Sequence, residues 1–261
     1  MALSDFEYMN QALCLALRGR GRTSPNPIVG AIVVSDGVVV GSGYHQEAGS
    51  PHAEVHALSA AGSAAKGATL FCTLEPCCHT GRTGPCVEQI VEFGIKRVVV
   101  AVEDPNPLVA GGGISFLRGQ GVQVEVGLCG REAFQVNRDF FTFIRYNRPF
   151  VTMKIALSID GYTTSKEGSR ATITSTTANR HAHLLRAEVD AIGVGSGTIV
   201  TDDPLLTARE VHRRRLLTRV IFDTRLRTPP TARIFSTLDH GPVIIVTTTK
   251  VVDSRARDVG M

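Results

Sequence analysis

Between Thr73 and Cys86 the chain reads TLEPCCHTGRTGPC, which puts Cys77, Cys78 and Cys86 beside His79 and Arg82. Sulfur donors near an imidazole can form a redox pair, a structural zinc clip, or part of a catalytic metal site. A redox pair calls for C-x-x-C, which this stretch lacks. A clip closes its metal with four protein ligands, usually in two tight C-x2-4-C pairs. Here Cys77 and Cys78 are adjacent, and eight residues separate Cys77 from Cys86. The remaining option is an open site that takes another ligand from elsewhere.

PHAEVH, residues 51–56, is the upstream candidate. His52 and His56 lie four apart on one helical face, but in zinc proteases of the H-E-x-x-H type the glutamate directly follows the first histidine. Glu54 comes one residue too late for that. H-x-E followed by P-C and a later cysteine is instead the pattern of zinc nucleobase deaminases. His52, Cys77 and Cys86 would be the ligands, leaving the fourth tetrahedral position to water. Glu54, not a ligand, would move protons from the water to the ring nitrogen and departing amine. Pro51 and Pro85 would set His52 and Cys86 at helix starts, where thiolate is favoured. His56 reads as a packed helix residue and Cys78 as a bystander. Cys14, Cys72 and Cys129 sit in apolar runs and read as small core residues.

The elements that must hold these groups alternate. Phe6, Met9, Leu13 and Leu17 have helical spacing over 5–18, with Gly19 as a stop. Residues 28–34 and 38–41 flank Ser35-Asp36-Gly37 as a hairpin. Further helices are expected over 53–65, 87–93, a short stretch after the glycines at 111–113, and 131–146. Strands are expected over 68–74, 97–102 and 122–126. Asn147-Arg148-Pro149 breaks the pattern. A second series follows: strand 151–157, helix 176–188, and strands 191–194, 219–222 and 243–247. Two α/β domains result, 1–146 and 147–261, with helices covering both faces of the first sheet.

Hydrophobic residues make up 43% and charged residues 20%, the balance of a globular protein, with a net charge of +4. That charge suits an anionic small molecule and is too scattered for nucleic acid. Tryptophan is absent and aromatics total 6%, which weighs against a deaminase that stacks bases of RNA. The basic run His212-Arg213-Arg214-Arg215 reads as a solvated surface. No apolar stretch is long enough for a membrane span and the N-terminus lacks a basic leader, so a cytoplasmic setting is expected. A docking module with purely structural zinc is the non-enzymatic alternative.

PNPIVGAIVV, HAEVHAL, TLEPCCHTGRTGPC and EDPNPLVAGGG closely resemble the bifunctional deaminase/reductases of riboflavin biosynthesis. The long cysteine spacing makes the resemblance specific, and a loop with His79 and Arg82 beside the metal suits a phosphate-bearing ligand. The resemblance implies a three-layer α/β/α cytidine-deaminase-like domain followed by a dihydrofolate-reductase-like α/β domain. It implies zinc-dependent hydrolytic deamination of 2,5-diamino-6-(5-phosphoribosylamino)pyrimidin-4-one to 5-amino-6-(5-phosphoribosylamino)uracil. NADPH-dependent reduction of the ribosyl group to ribityl would follow. At matching positions Asn26, His45, His79, Arg82, Asp104 and Asn106 would line the deaminase pocket, although Asn26 between two prolines could equally be a turn residue. The expected partner is a phosphorylated pyrimidine, with no nucleic acid or membrane, in a homo-oligomer.

KIALSIDG and LLRAEVDAIGVGSGTIVTDDPLLTAR resemble the reductase half. They imply cofactor contacts at Ala156, Thr172, Thr198, Asp202 and Thr224, and substrate contacts at Arg170, Arg186, Leu206 and Arg209. By themselves, Gly193, Gly195 and Gly197 after a strand could admit a pyrophosphate, but G-x-G-x-G is not the dinucleotide fingerprint. Asp202-Asp203-Pro204 reads equally well as a turn with a helix cap. Thr172 replaces a common tryptophan, Cys78 a common serine and Gly84 a common proline. The family's later glutamate–glycine-rich segment has no counterpart. The expectation is therefore a truncated or degenerate reductase half, in a chain that deaminates more reliably than it reduces.

Overall fold

The computed structural model describes residues 3–79, 84–163, 173–211, 213 and 215–249. The chain divides into two compact units, Met1–Val151 and Thr152–Met261.

In the first unit, α1 (Asp5–Ala16) starts at a capping box. Ser4 Oγ accepts the Glu7 N–H and Glu7 accepts the Ser4 N–H. Its buried stripe is Tyr8, Met9, Ala12, Leu13 and Ala16. Phe6 and Leu17 lie outside the stripe and are exposed, as is Cys14, so the core role expected for that cysteine is not met. Strands β1 (Gly30–Ser35) and β2 (Val38–Tyr44) form the expected hairpin. Asp36 and Gly37 join them with φ of 48° and 76°, the two positive values of a type I′ turn.

The chain continues through α2 (Ala53–Ala61), β3 (Thr69–Cys72), α3 (Cys86–Glu92), β4 (Arg97–Val100), α4 (Gly112–Gly119), β5 (Gln123–Val126), α5 (Gly130–Val136) and α6 (Arg138–Tyr146). The sheet order is β2-β1-β3-β4-β5, with β1 antiparallel to both neighbours and β3, β4 and β5 parallel. Alternation along the strands builds two cores. Ala31, Val33, Leu70, Val98 and Val100 face α2, α3 and α4, while Ile32, Val34, Phe71 and Val99 face α1 and α5. A Cβ at Gly43 would come within 2.5 Å of the Ala53 carbonyl oxygen, so glycine lets α2 lie directly on β2. That contact fixes where the first turn of α2 sits.

The single helix expected over 131–146 is two. Asn137, 1% exposed, leaves helical geometry at φ −115° and ψ 20°. Its side chain accepts the Ile28 N–H and donates to the Ile28 carbonyl, both at 2.8 Å. A paired amide in the core outweighs one residue of helix continuity.

In the second unit, α7 (Thr176–Glu188), β6 (Ala191–Gly195), α8 (Ser196–Asp202), β7 (Thr218–Phe222) and β8 (Val243–Val246) give a parallel sheet in the order β6-β7-β8. Of the three glycines expected after a strand, Gly193 and Gly195 lie within β6 and Gly197 within α8, which follows it directly. The strand expected over 151–157 is not one: Val151, Met153, Ile155 and Leu157 alternate as on a strand face but are exposed, and no described strand pairs with them. Alternation proposes a strand, but an unpaired backbone edge does not make one. The core is small: Ile199, Leu206, Ile221, Ala232 and Ile234. Arg219, fully buried on β7, donates to the Ile234, Thr237 and Gly241 carbonyls and to Thr237 Oγ1. Arg213 is no free surface charge either. It donates to the Arg186 and Ala187 carbonyls at 2.7 and 2.8 Å and so caps α7. Arg215 pairs with Asp190, and His212 and Arg214 lie outside the described residues.

Among the described residues, no helix is long and apolar enough to cross a membrane.

Candidate active site

The relevant side chains gather at one edge of the first sheet. Because β2, β3 and β4 run in the same direction, the segments after them emerge together: 45–52, 73–77 and 102–106. Asn26 joins them from the segment that enters β1.

His52 is the N-cap of α2 and Cys86 the first residue of α3, with Pro85 as its N-cap. Both lie at helix starts, as the prolines before them predict. His52 Nδ1 is 3.1 Å from Cys86 Sγ and 3.5 Å from Cys77 Sγ, and the ligand atoms of all three residues lie within 4.8 Å of one another. Tetrahedral zinc, with about 2.3 Å to sulfur and about 2.0 Å to nitrogen, holds its ligand atoms roughly 3.5–3.8 Å apart. The donor set and its spacing therefore fit zinc. Cys77 Sγ accepts the Cys86 N–H at 3.3 Å. Hydrogen bonding from the Cys86 side chain, with help from His52, holds the Cys77 thiol down to about 4, and the same bond pushes Cys86 upward. Bonding to Cys77 raises His52 against its burial.

Glu54 lies in the first turn of α2 and is 4% exposed. Burial pushes its carboxyl up to about 7, opposed by the charge of His52 and reinforced by that of Cys77. A carboxyl poised near neutrality beside the three donors can take and return a proton. His56, two residues further, is half-buried and stands outside the cluster. Cys78 is also outside it, its sulfur 4.0 Å from the Leu108 carbonyl.

His45 is 3% exposed. Its Nδ1 donates to the Pro51 carbonyl at 3.3 Å, leaving Nε2 to accept from the Asn26 amide at 3.4 Å. Burial lowers its pKa, which favours this neutral ring. The His45 and His52 rings meet edge to face at 5.6 Å. Asp104 Oδ1 accepts the Asn106 N–H at 2.8 Å, and burial pushes its carboxyl up to about 6. His79 is exposed yet near enough for its charge to oppose that rise. Arg82 lies outside the described residues. The structure thus brings together Asn26, His45, His52, Glu54, Cys77, Cys86, Asp104 and Asn106.

In the second unit, Thr198 and Asp202 are half-buried on α8, and Thr224 is exposed just after β7. All three follow the C-terminal ends of parallel strands, the edge where α/β sheets take ligands. Cβ atoms added at Gly195 and Gly197 would meet nothing, so the backbone there is open to a bulky group. Ala156 sits half-buried in the 151–157 segment, which precedes these elements in sequence. Arg186 donates to the Thr207 carbonyl at 3.3 Å, and the Arg209 N–H donates to His183 Nδ1 at 3.1 Å. Burial and the charge of Arg209 lower the Arg186 pKa, so the two arginines sit close. Leu206 is buried between them in sequence, at φ 54°. Arg170 and Thr172 lie outside the described residues.

Sequence reasoning passed over Glu75 and Asn137, both buried at the edges of this site. For Glu75 a signal existed: a lone charge inside the largely apolar run from Ala68 to Pro76. Asn137 carried none, because a polar residue is unremarkable inside an amphipathic helix pattern.

Residues 3–102 match the profile of the cytidine and deoxycytidylate deaminase zinc-binding region, and residues 149–259 match that of the RibD C-terminal domain. The riboflavin biosynthesis protein RibD of Aquifex aeolicus is 49% identical over 243 residues, covering 93% of this chain and 68% of the relative. That of Escherichia coli is 45% identical, with 89% and 66% covered. Acinetobacter baumannii RibD superposes with a TM-score of 0.86 at 41% identity, over 95% of this chain and 71% of that one. The deaminase/reductase of Thermotoga maritima gives 0.86 at 37%, over 94% and 70%. The chain spans about two thirds of the length of the curated relatives it matches, 62% in the case of Bacillus amyloliquefaciens.

Proposed function

The chain belongs to the RibD family, and we propose that its first unit deaminates 2,5-diamino-6-(5-phosphoribosylamino)pyrimidin-4-one with zinc held by His52, Cys77 and Cys86. The observation that carries this reading is the convergence of three donors beside a buried carboxyl. When bound there, zinc supplies a Lewis acid that makes water nucleophilic near neutral pH. Glu54 takes a proton from the attacking water as the C–O bond forms and passes it to the ring nitrogen. It then carries the proton of the new hydroxyl to the amine, so that the C–N bond breaks, ammonia leaves and the carbonyl remains. Its burial keeps solvent from supplying that proton at random. His45, fixed by Pro51, presents Nε2 to the Asn26 amide and so orients it toward the pyrimidine. Asp104 and Asn106 face the substrate from the β4 side, and His79 and Arg82 meet its phosphate.

For the second unit we propose an NADPH site over Thr198, Asp202 and Thr224, with Ala156 and Thr172 contributing from the preceding segment. The cofactor, when bound, supplies a hydride. Arg170, Arg186, Leu206 and Arg209 would hold the phosphorylated substrate. The open backbone at Gly195 and Gly197 supports this reading. We further propose that the protein works as a homo-oligomer on small molecules, without nucleic acid or membrane, in the cytoplasm.

The test is ammonia release by the zinc-loaded chain from the phosphoribosylated pyrimidinone and from deoxycytidylate. The expected result is turnover of the first with kcat/KM at least about 10²-fold above the second, the discrimination a site built around polar contacts can reach. Preference for deoxycytidylate would overturn the substrate assignment. NADPH titration of the same protein, followed by cofactor fluorescence, tests the second unit, and absence of binding there would leave only the deaminase.

A further inference from the structure

We propose that Glu75 is a positioning residue for deamination: its carboxylate clamps the loop bearing Asp104 and Asn106 to the segment bearing Cys77. The role of that loop toward substrate rests on the functional reading above, but the clamp itself does not.

Glu75 is 3% exposed, and among the described residues no cation pairs with it. Four backbone amides satisfy it instead. Oε2 accepts the N–H groups of Asp104 at 3.2 Å and Gly111 at 3.0 Å, and Oε1 accepts those of Gly113 at 3.0 Å and Ile114 at 3.2 Å. The Glu75 N–H donates to the Val102 carbonyl at 3.0 Å. One residue therefore grips both ends of the 102–114 excursion, from the end of β4 to the first turn of α4. Gly113 permits the close approach, since a Cβ there would fall 2.0 Å from the Pro76 carbonyl oxygen.

The constraint passes on to the groups that face the pyrimidine. The backbone of Asp104 is held by Glu75, and its side chain accepts the Asn106 N–H at 2.8 Å. Asn106 Oδ1 in turn accepts the Leu108 N–H at 3.1 Å. Two residues beyond Glu75 lies Cys77, one of the three clustered donors. The clamp thus sets the spacing between the metal ligand and the loop, and an error of about 1 Å in such spacing can cost on the order of 10²-fold in rate. All four partners donate, so the position calls for a side chain that accepts at both oxygens and donates from neither.

Glu75→Gln keeps the shape but turns one oxygen into a donor facing two N–H groups. In the full, zinc-loaded chain, with rates normalised to bound zinc, kcat/KM for the phosphoribosylated pyrimidinone should fall about 10- to 100-fold, mostly through KM. Zinc per chain should equal that of the wild type. In an Asp104→Ala background the same substitution should add less than about threefold, because the clamp acts through that residue. Unchanged kcat/KM, losses that multiply in the double variant, or parallel loss of zinc would overturn the proposal. Should Glu75→Gln fail to fold, Glu75→Asp keeps the charge on a shorter arm, and a smaller loss in KM with full zinc is expected. Amide hydrogen exchange separates this proposal from the substrate assignment. Exchange at Asp104, Gly111, Gly113 and Ile114 should accelerate in the variant whether or not that pyrimidinone is the substrate. Unchanged exchange at these four positions sinks the clamp, whereas a wild-type protein that releases no ammonia sinks only the functional reading.

Discussion

The two units solve the same problem, holding polar groups at the open ends of parallel strands, with unequal means. In the first unit five strands are covered on both faces, and the site rests on buried polar side chains that pair with backbone: Glu75 with four amides, Asn137 with both groups of Ile28. In the second unit, among the described residues, three strands carry a core cluster of five buried residues, and an alternating apolar run at 151–159 stays in the open, with Ile159 wholly exposed. Of its deep polar anchors, Arg219 braces the 3-10 segment Arg233–His240, and Asp223, next to Thr224, accepts from the N–H and hydroxyl of nearby Thr228 at 2.7 and 2.8 Å. The contrast teaches that an α/β sheet edge becomes a precise site only when the loops behind it are tied to the core by satisfied polar groups.

If that is so, each unit should fail in its own way. Arg219→Met is expected to have the larger effect, because it strips donors from several buried carbonyls at once. Loss of about 3–5 kcal/mol is expected in the unfolding of the second unit, followed by urea denaturation, with deamination at 25 °C unchanged. A matching fall in deaminase activity would show that the units do not stand apart. Asn137→Ala is expected to cost less, about 2–3 kcal/mol in the unfolding of the first unit, since two buried backbone groups of Ile28 lose their partner. Because Ile28 lies two residues beyond Asn26, KM for the pyrimidinone should also rise. A stability loss with no change in KM would detach Asn137 from the site and weaken the contrast drawn above.

The donor cluster of the first site was legible because zinc accepts few residue types and fixes their order. His52, Glu54, Cys77 and Cys86 could be named from spacing alone, and the hairpin followed from Asp36-Gly37. The supports were not legible, because their partners are backbone amides, which every residue possesses and no sequence pattern marks. Glu75 stands out only as a lone acid in a largely apolar run, which does not say what it binds, and Asn137 looks like any polar helix residue until the fold brings Gly113 or Ile28 to them. The break between α5 and α6 has the same origin. The segment at 151–157 misled in the opposite direction: its alternation is real, but a strand also requires a neighbouring edge, which is a property of the whole sheet and not of seven residues.

The most direct measurement is on Glu54→Gln, with zinc content and ammonia release determined on the same preparation. Glutamine fills the same space beside the three donors but neither takes nor returns a proton. Zinc should remain at about one per chain, since Glu54 is not a ligand, while deamination falls by about 10²–10⁴-fold or more. Activity within about threefold of the wild type, well inside the range that general acid–base catalysis supplies, would contradict the assignment of Glu54 as the proton carrier and with it the mechanism proposed for this site.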